Sequence, residues 1–213
     1  MSIEDVVVID IDNTSVGTVE EGGLGRYHNW PHAYHGQLIN TVSSGNPKAL
    51  LFDIIFDEEN TFKYDLVQAL SSSSSSKNQE LSNVDDQFLY SNDPSKFVTE
   101  TQNSNKTYHA IVFEEEDTLN FLPKMDSEPQ GYVYENHIIS GISDVAKNRL
   151  PQADRIGNTY VELLSASVGN GSANFPQDND GVIRRAPTAI YIDGAAHVYP
   201  TLVMSAIIDI LGI

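Results

Sequence analysis

The residues with chemical potential in this chain are mostly acidic, and they fall at the two ends. Asp10 and Asp12 close the apolar run Val6-Val7-Val8-Ile9, and Asp53 lies inside a second apolar run, Leu50 to Phe56. If both runs are strands of an open α/β sheet, the three carboxylates converge at the carboxyl ends of the strands, where such sheets place their ligand crevice. Clustered carboxylates repel one another unless a positive partner is present. The group therefore reads as a site for a cation or an amine, with Asp10, Asp12 and Asp53 as weak candidate metal ligands. The alternative is that they cap turns and helices or pair with Arg184 and Arg185, two adjacent arginines in an acid-rich chain. Those arginines follow Asn174-Phe175-Pro176-Gln177-Asp178-Asn179-Asp180-Gly181-Val182-Ile183. The Asp178–Gly181 stretch starts like a calcium loop, but Pro176 and Pro187 occupy positions where ligands are needed, so a tight turn with Gly181 at positive φ is the better reading. His28, His32 and His35 are close enough in sequence to suggest a transition-metal site, without an evident fourth ligand. Trp30, Tyr34 and Phe175 could line a pocket or belong to the core.

The elements that must position these residues read as α/β. Val6 to Asp12 is expected to be a central parallel strand buried on both faces. Trp30-Pro31 leads into a helix over 33–42, with Leu38, Ile39 and Val42 on one face and Gly45 as its stop. Lys48 to Phe56 is a second strand, which makes the first unit βαβ. A short helix follows over 65–70. Six serines at 71–76 open a polar segment, so a flexible insertion is expected at about 71–107. Tyr108 to Phe113 is a third strand, and 118–157 is poorly patterned, with one short helix near 139–145. Residues 160–169 fit helix or strand. Val182 to Ile192 and Ala196 to Tyr199 form a hairpin around Asp193-Gly194, placing Arg184 and Arg185 on opposite faces of a strand. Pro200 opens a last helix over 201–211, closed by Gly212 and apolar nearly all round, hence buried or packed on a partner. The expected architecture is a single domain over residues 1–213: a central mixed β-sheet with helices on both faces and a large polar insertion in the middle.

Composition narrows the function classes. A formal charge of −18 would repel phosphates, which argues against nucleic acid or an anionic membrane surface as partner. The chain has no cysteine, which removes disulfides, thiolate catalysis and Cys-ligated metals. No run approaches the ~20 apolar residues of a membrane span, and no signal peptide is visible. Both ends read as cut ends, with membrane segments expected beyond them.

Two family resemblances compete. Asp10-Ile11-Asp12-Asn13-Thr14 resembles the first motif of haloacid-dehalogenase-type phosphatases, which implies Asp10 as nucleophile, Asp12 as proton shuttle and magnesium as counter-charge. The remaining parts of that machinery are missing. The second strand ends Phe52-Asp53-Ile54-Ile55-Phe56 without a Ser or Thr. Lys124 and Lys147 follow no apolar strand, and neither Asp85-Asp86 nor Asp178/Asp180 ends one.

The second resemblance covers more of the chain. Val8-Ile9-Asp10-Ile11-Asp12-Asn13-Thr14-Ser15, Trp30-Pro31 entering a helix, Phe52-Asp53-Ile54-Ile55-Phe56 with Glu58, and Asn174-Phe175 through Arg184-Arg185, with Pro187 and Pro200-Thr201-Leu202, together resemble the CHASE-type 2 family. That family comprises the extracellular sensory domains associated with bacterial cyclases and histidine kinases. His32 stands where the family usually has Arg. The resemblance implies a non-enzymatic, extracytoplasmic input domain of a membrane signalling protein. On this reading transmembrane helices and an intracellular output domain adjoin it, it needs no cofactor, and its partner is an unknown small molecule or ion. It pairs as a homodimer in one version of the reading. The ligand-binding candidates are Asp10, Asp12, Asp53, Trp30, His32, Arg184 and Arg185. The alternative reading is the magnesium-dependent phosphatase built on Asp10 and Asp12, and a third is a domain that only mediates assembly.

Overall fold

The structure, a computed structural model, describes residues 6–18, 20, 22–56, 92–114, 132, 135–157, 160–175, 180–184, 186–192 and 197–213. Its centre is a three-stranded parallel sheet formed by β1 (Leu50–Phe52), β2 (Thr107–Ile111) and β6 (Gly169–Ser172), with β2 in the middle. A two-stranded antiparallel pair joins β3 (Phe113–Glu114) to β5 (Arg155–Ile156). A mixed sheet sets β4 (Gln152–Ala153) parallel to β7 (Ala189–Ile192), and β7 antiparallel to β8 (His197–Pro200). Among the described residues the α-helices are α1 (His32–Ser43), α2 (Ser95–Ser104), α3 (Asp144–Lys147), α4 (Val161–Ala166) and α5 (Leu202–Leu211). The chain is α/β, as its patterning predicts, with parallel and mixed strands divided between separate sheets.

All five residues of β2 are buried, as expected of a strand covered on both faces. Tyr108 and Ala110 face α5, meeting Leu202 and Ala206. On the opposite face, Phe52 of β1 packs with Ile39 of α1, Phe97 of α2, Leu163 of α4, Phe56 and Tyr160. A third cluster, built on Ile111, Phe113, Ile156, Leu164, Ile190, Ile192 and Tyr199, joins the parallel sheet to the other two. Helices therefore cover both faces of the parallel sheet.

Helix α1 buries His32, His35, Gly36 and Ile39, a stripe at helical spacing whose polar members hide it from a hydrophobicity count. At Gly36 a Cβ would lie 2.9 Å from the backbone oxygen of Lys96, so the glycine lets α1 and α2 cross at close range. The left-handed residue that ends α1 is Asn46 at φ 54, one position beyond the predicted Gly45. Helix α5 ends as predicted on Gly212 at φ 66, and its amide bonds back to Ile208 and Asp209.

Three expectations need correction. Residues 6–12 are not a central strand: they have no regular structure, and Val7 and Val8 are each 84 % exposed. No element among the described residues pairs with them, so the apolar run gains no burial, and the expected first βαβ unit is replaced by β1-α2-β2. Residues 95–107 of the expected flexible insertion are helix α2 and the start of β2, because Phe97 and Thr101 recur at helical spacing and are both fully buried. The remainder of that insertion up to 91, with the helix expected over 65–70, lies outside the described residues. Residues 182–184 are irregular, and the hairpin uses only β7 and β8; its turn, 193–196, also lies outside the described residues.

Glycine at 171 carries a direct test. A Cβ there would sit 2.5 Å from the Leu202 amide nitrogen and from the Thr201 carbonyl carbon, both backbone atoms that cannot swing aside. Gly171→Ala is expected to lower stability by about 1–3 kcal/mol through overpacking of β6 against α5. Urea unfolding of the two proteins measures this; an unchanged midpoint would show that α5 docks less closely.

Candidate ligand-binding site

The carboxyl ends of β1, β2 and β6 form the edge at which a parallel sheet offers a crevice. Asp53 follows β1 directly and is exposed; the strand expected over 48–56 ends one residue before it. Just beyond β2, the Val112 carbonyl accepts from the Gly157 amide at 2.6 Å. Beyond β6 comes Asn174, first residue of the motif that ends in the two arginines.

Asn174 is a clamp. Its side-chain oxygen accepts from the Phe113 amide at 2.8 Å, and its side-chain nitrogen donates to the Phe113 carbonyl at 2.6 Å. The side chain thus completes a strand-like pair of bonds to β3 where the β6 backbone has ended. The Ser172 hydroxyl donates to the Asn174 side-chain oxygen at 2.9 Å and accepts from the Asn174 amide at 3.0 Å, which fixes the rotamer. Sequence reasoning used Asn174 only as a family marker. The usable signal was an amide side chain immediately after a buried strand, where backbone groups lose their ladder partners.

The other predicted residues are dispersed. Asp10 is exposed on irregular chain. Asp12 caps a local turn: its Oδ1 accepts from the Ser15 amide and the Ser15 hydroxyl, each at 2.8 Å, and those bonds, the amide first, hold its carboxyl below the ordinary carboxylate range. Turn capping, one of the alternatives the sequence leaves open, is thus its observed role. Arg184 forks onto Asp180, at 2.8 and 2.6 Å, and this guanidinium is the main reason that the Asp180 carboxyl is also held low. The pair spans the turn at Gly181, whose φ of 78 agrees with the sequence reading. Arg184 is not on a strand; Arg185 lies outside the described residues. Among the described residues no group of three or more His, Cys, Asp or Glu could hold a metal ion, which applies to Asp10, Asp12 and Asp53 and to His28, His32 and His35 alike.

Trp30 and His32 belong to the interior. The Trp30 indole donates to the Gly25 carbonyl at 2.9 Å, and its ring meets Tyr27 edge to face at 5.2 Å. His32 lies between Phe56 and Phe97, 5.3 and 5.5 Å away between ring centres, with Tyr160 stacked at 6.2 Å. Beside it are two further buried imidazoles that sequence reasoning did not place in the core together. His35 meets Phe56 at 5.0 Å and Phe97 at 5.3 Å, and burial, then the neighbouring His32, pushes its pKa down to about 4. His109 stacks on Phe52 at 5.0 Å, and burial, then His35, pushes its pKa down to about 3. Neutral at pH 7, both rings act there as aromatic packing units.

With Asp10 and Asp12 exposed and off any strand, the geometry of a phosphoryl-transfer site is absent from the described residues. Among those residues, no helix is long and apolar enough to cross a membrane. A family model described as the CHASE2 domain matches residues 1–211. CHASE2 domains are extracellular sensory domains of signalling proteins, a sensory family and not a catalytic one. No curated protein and no solved structure matches the chain.

The clamp makes its own prediction. Asn174→Ala removes the partners of both Phe113 backbone groups and is expected to cost about 1–3 kcal/mol. Asn174→Asp keeps an acceptor for the amide but turns a carboxylate toward the Phe113 carbonyl, so it should not recover that stability at neutral pH. Thermal unfolding of the two variants beside the parent protein measures both effects; full recovery by aspartate would mean that only the amide bond matters.

Proposed function

The chain belongs to the CHASE2 domain family, and on that premise we propose that it is the extracytoplasmic input domain of a bacterial transmembrane signalling protein such as a nucleotide cyclase or histidine kinase. The match over residues 1–211 carries this reading. In it, the domain binds a small molecule or ion and shifts between two arrangements whose populations the ligand biases. The signal leaves through membrane helices that adjoin the domain, toward an output domain inside the cell. Two copies of the domain can couple that shift across a dimer.

Two structural features support the reading. Asp53 stands exposed where a parallel sheet receives ligands, in a protein whose charge of −18 favours cationic or neutral molecules over anions. Helix α5 packs its first turns against β2 and β6, through Leu202 and Ala206, while Val203 and Leu211 remain 55 % and 63 % exposed. A shift at the sheet is therefore felt directly by the last helix, whose outer side is open to another element.

Limited proteolysis of intact cells producing the full-length protein tests the placement. The domain should be cut from outside while the output domain stays protected; protection of both would overturn the proposal. In the same protein, Asp53→Ala is expected to weaken the response to the activating condition at least tenfold without changing the melting temperature. An unchanged response would remove Asp53 from the ligand site.

A further inference from the structure

We propose that the buried imidazoles of His35 on α1 and His109 on β2 form a proton-binding site, through which acidification outside the cell loosens the α1–α2 layer from the parallel sheet. The proposal rests on the sensory reading and names its ligand as the proton.

The geometry is that of a core built to be closed when uncharged. His35 and His109 are 4 % and 1 % exposed, and Phe52, Phe56 and Phe97 each lie within 6.1 Å of the ring of His35 and within 6.0 Å of that of His109. The described groups facing them are few. Helix α1 contributes His32, and the 27–30 turn contributes Tyr27, whose hydroxyl is itself held above its ordinary pKa by burial. Tyr160 reaches the cluster through its ring on His32. Helix α2 presents Phe97 and Thr101; Glu100 on the same helix accepts from Asn40 outside the cluster. Strand β1 presents Phe52, with Asp53 exposed beyond it, and on α4 Glu162 is exposed. No described carboxylate meets either ring to neutralise a charge. The charges acting on them come from other histidines: His32 on His35, and His35 on His109.

The closed core leaves His109 without the acceptors that a second proton needs. Phe52, His109 and Asn170 are register partners across β1, β2 and β6, so their side chains share one face of the sheet. The His109 Nε2 lies 3.3 Å from the Thr101 hydroxyl oxygen, while His109 Nδ1 is buried with no hydrogen-bond partner. The neighbouring Asn170 donates to the Leu164 carbonyl, but its own side-chain oxygen is also buried and unpartnered. An imidazolium must donate from both nitrogens; the Thr101 oxygen stands within reach of Nε2, while Nδ1 meets no acceptor in the closed core. Charging either ring is therefore resisted by burial away from water, so a proton is bound more readily where the α1–α2 layer has lifted and water enters.

The direction follows from linkage. Both rings hold pKa values below the ordinary 6.5 in the closed core, so they contribute their full stabilising effect above pH 6.5. That effect is lost as pH falls through the window from 6.5 to about 4 for His35 and about 3 for His109. With both rings titrating, the open fraction should rise about a hundredfold per pH unit inside the shared window, and about tenfold with one.

Trp30 is the only tryptophan and lies 6.4 Å from the His35 ring, so its fluorescence reports on this core locally. In the 213-residue protein, the fluorescence transition is expected below pH 6.5 and ahead of the loss of far-ultraviolet circular dichroism. His35→Phe and His109→Phe should each shift it to lower pH and flatten its slope. His28→Ala, at an exposed site, and His137→Gln, at the other histidine whose pKa burial lowers, should leave it in place. A single transition, coincident by both probes and unmoved by either phenylalanine, would overturn the proposal. If a phenylalanine variant does not fold, the imidazole Cε1 protons of the parent protein decide by NMR. Titration of His35 and His109 together with the fluorescence supports the site; rings that stay neutral until the circular dichroism collapses reject it. Those outcomes concern the core alone, whereas a full-length protein indifferent to every outside condition would reject the sensory reading and leave the proton site standing.

Discussion

Strand β2 is buried along its whole length, and that burial obliges helices to cover both faces of the parallel sheet. One face is met by α5 through small residues: Gly169 and Gly171 leave room for Ser205 and for the backbone at Thr201 and Leu202. The other face is met by α1 and α2, and again a glycine, Gly36, sets how closely they approach. Interiors packed to crystal-like density transmit displacement instead of absorbing it. A movement of α1 and α2 on one face therefore reaches α5 on the other through a strand that has no free surface.

Polar groups tie the same layers together where apolar packing runs out. The Tyr108 hydroxyl crosses from β2 to donate to Asp209 of α5 at 3.0 Å, and burial together with that carboxylate pushes the phenol up to about 12. Asn174 binds the end of β6 to β3, and Tyr160 and Phe56 join through the Tyr160 amide and the Phe56 carbonyl at 3.1 Å. These bonds join neighbouring elements, while Thr101 of α2, His109 of β2 and Asn170 of β6 form a second polar group that is fully buried. The second group is the costly one, since an unpaired polar atom in low dielectric forfeits its solvation.

The sequence made α/β architecture, the third strand, the closing hairpin and the capped last helix legible, because each carries a period or a stop that local chemistry enforces. Gly212 and Gly181 are examples, each at the positive φ their turns require. The family was legible too, from motifs spread over residues 8 to 202. Two things were not. Val6 to Ile9 has the composition of a buried strand, but burial is a property of partners, and no described element pairs with it. Helix α2 lies in polar sequence, and only Phe97 and Thr101 mark its inner side, so composition outweighed a short period. The site was the least legible part. Carboxylates attracted attention because they carry charge, whereas Asn174 acts through backbone geometry, and the core histidines His35 and His109 act through the absence of charge.

That absence sharpens what the histidines imply. The core already accommodates phenylalanine at 52, 56 and 97, so apolar aromatics fit this space, and replacing buried polar partners together by apolar groups of similar shape is commonly neutral or stabilising. Packing alone gives no reason to keep His35 and His109 there, with one ring nitrogen of His109 and the side-chain oxygen of Asn170 left without partners. Rings that cost stability when charged and add only ordinary packing when neutral make the layer's attachment conditional on proton activity. A sensory domain is a setting in which conditional attachment is useful, because a response requires two arrangements separated by a few kcal/mol and a ligand that favours one of them. The histidine core supplies such a difference at the contact between the helical layer and β2, the strand through which the two faces of the sheet communicate.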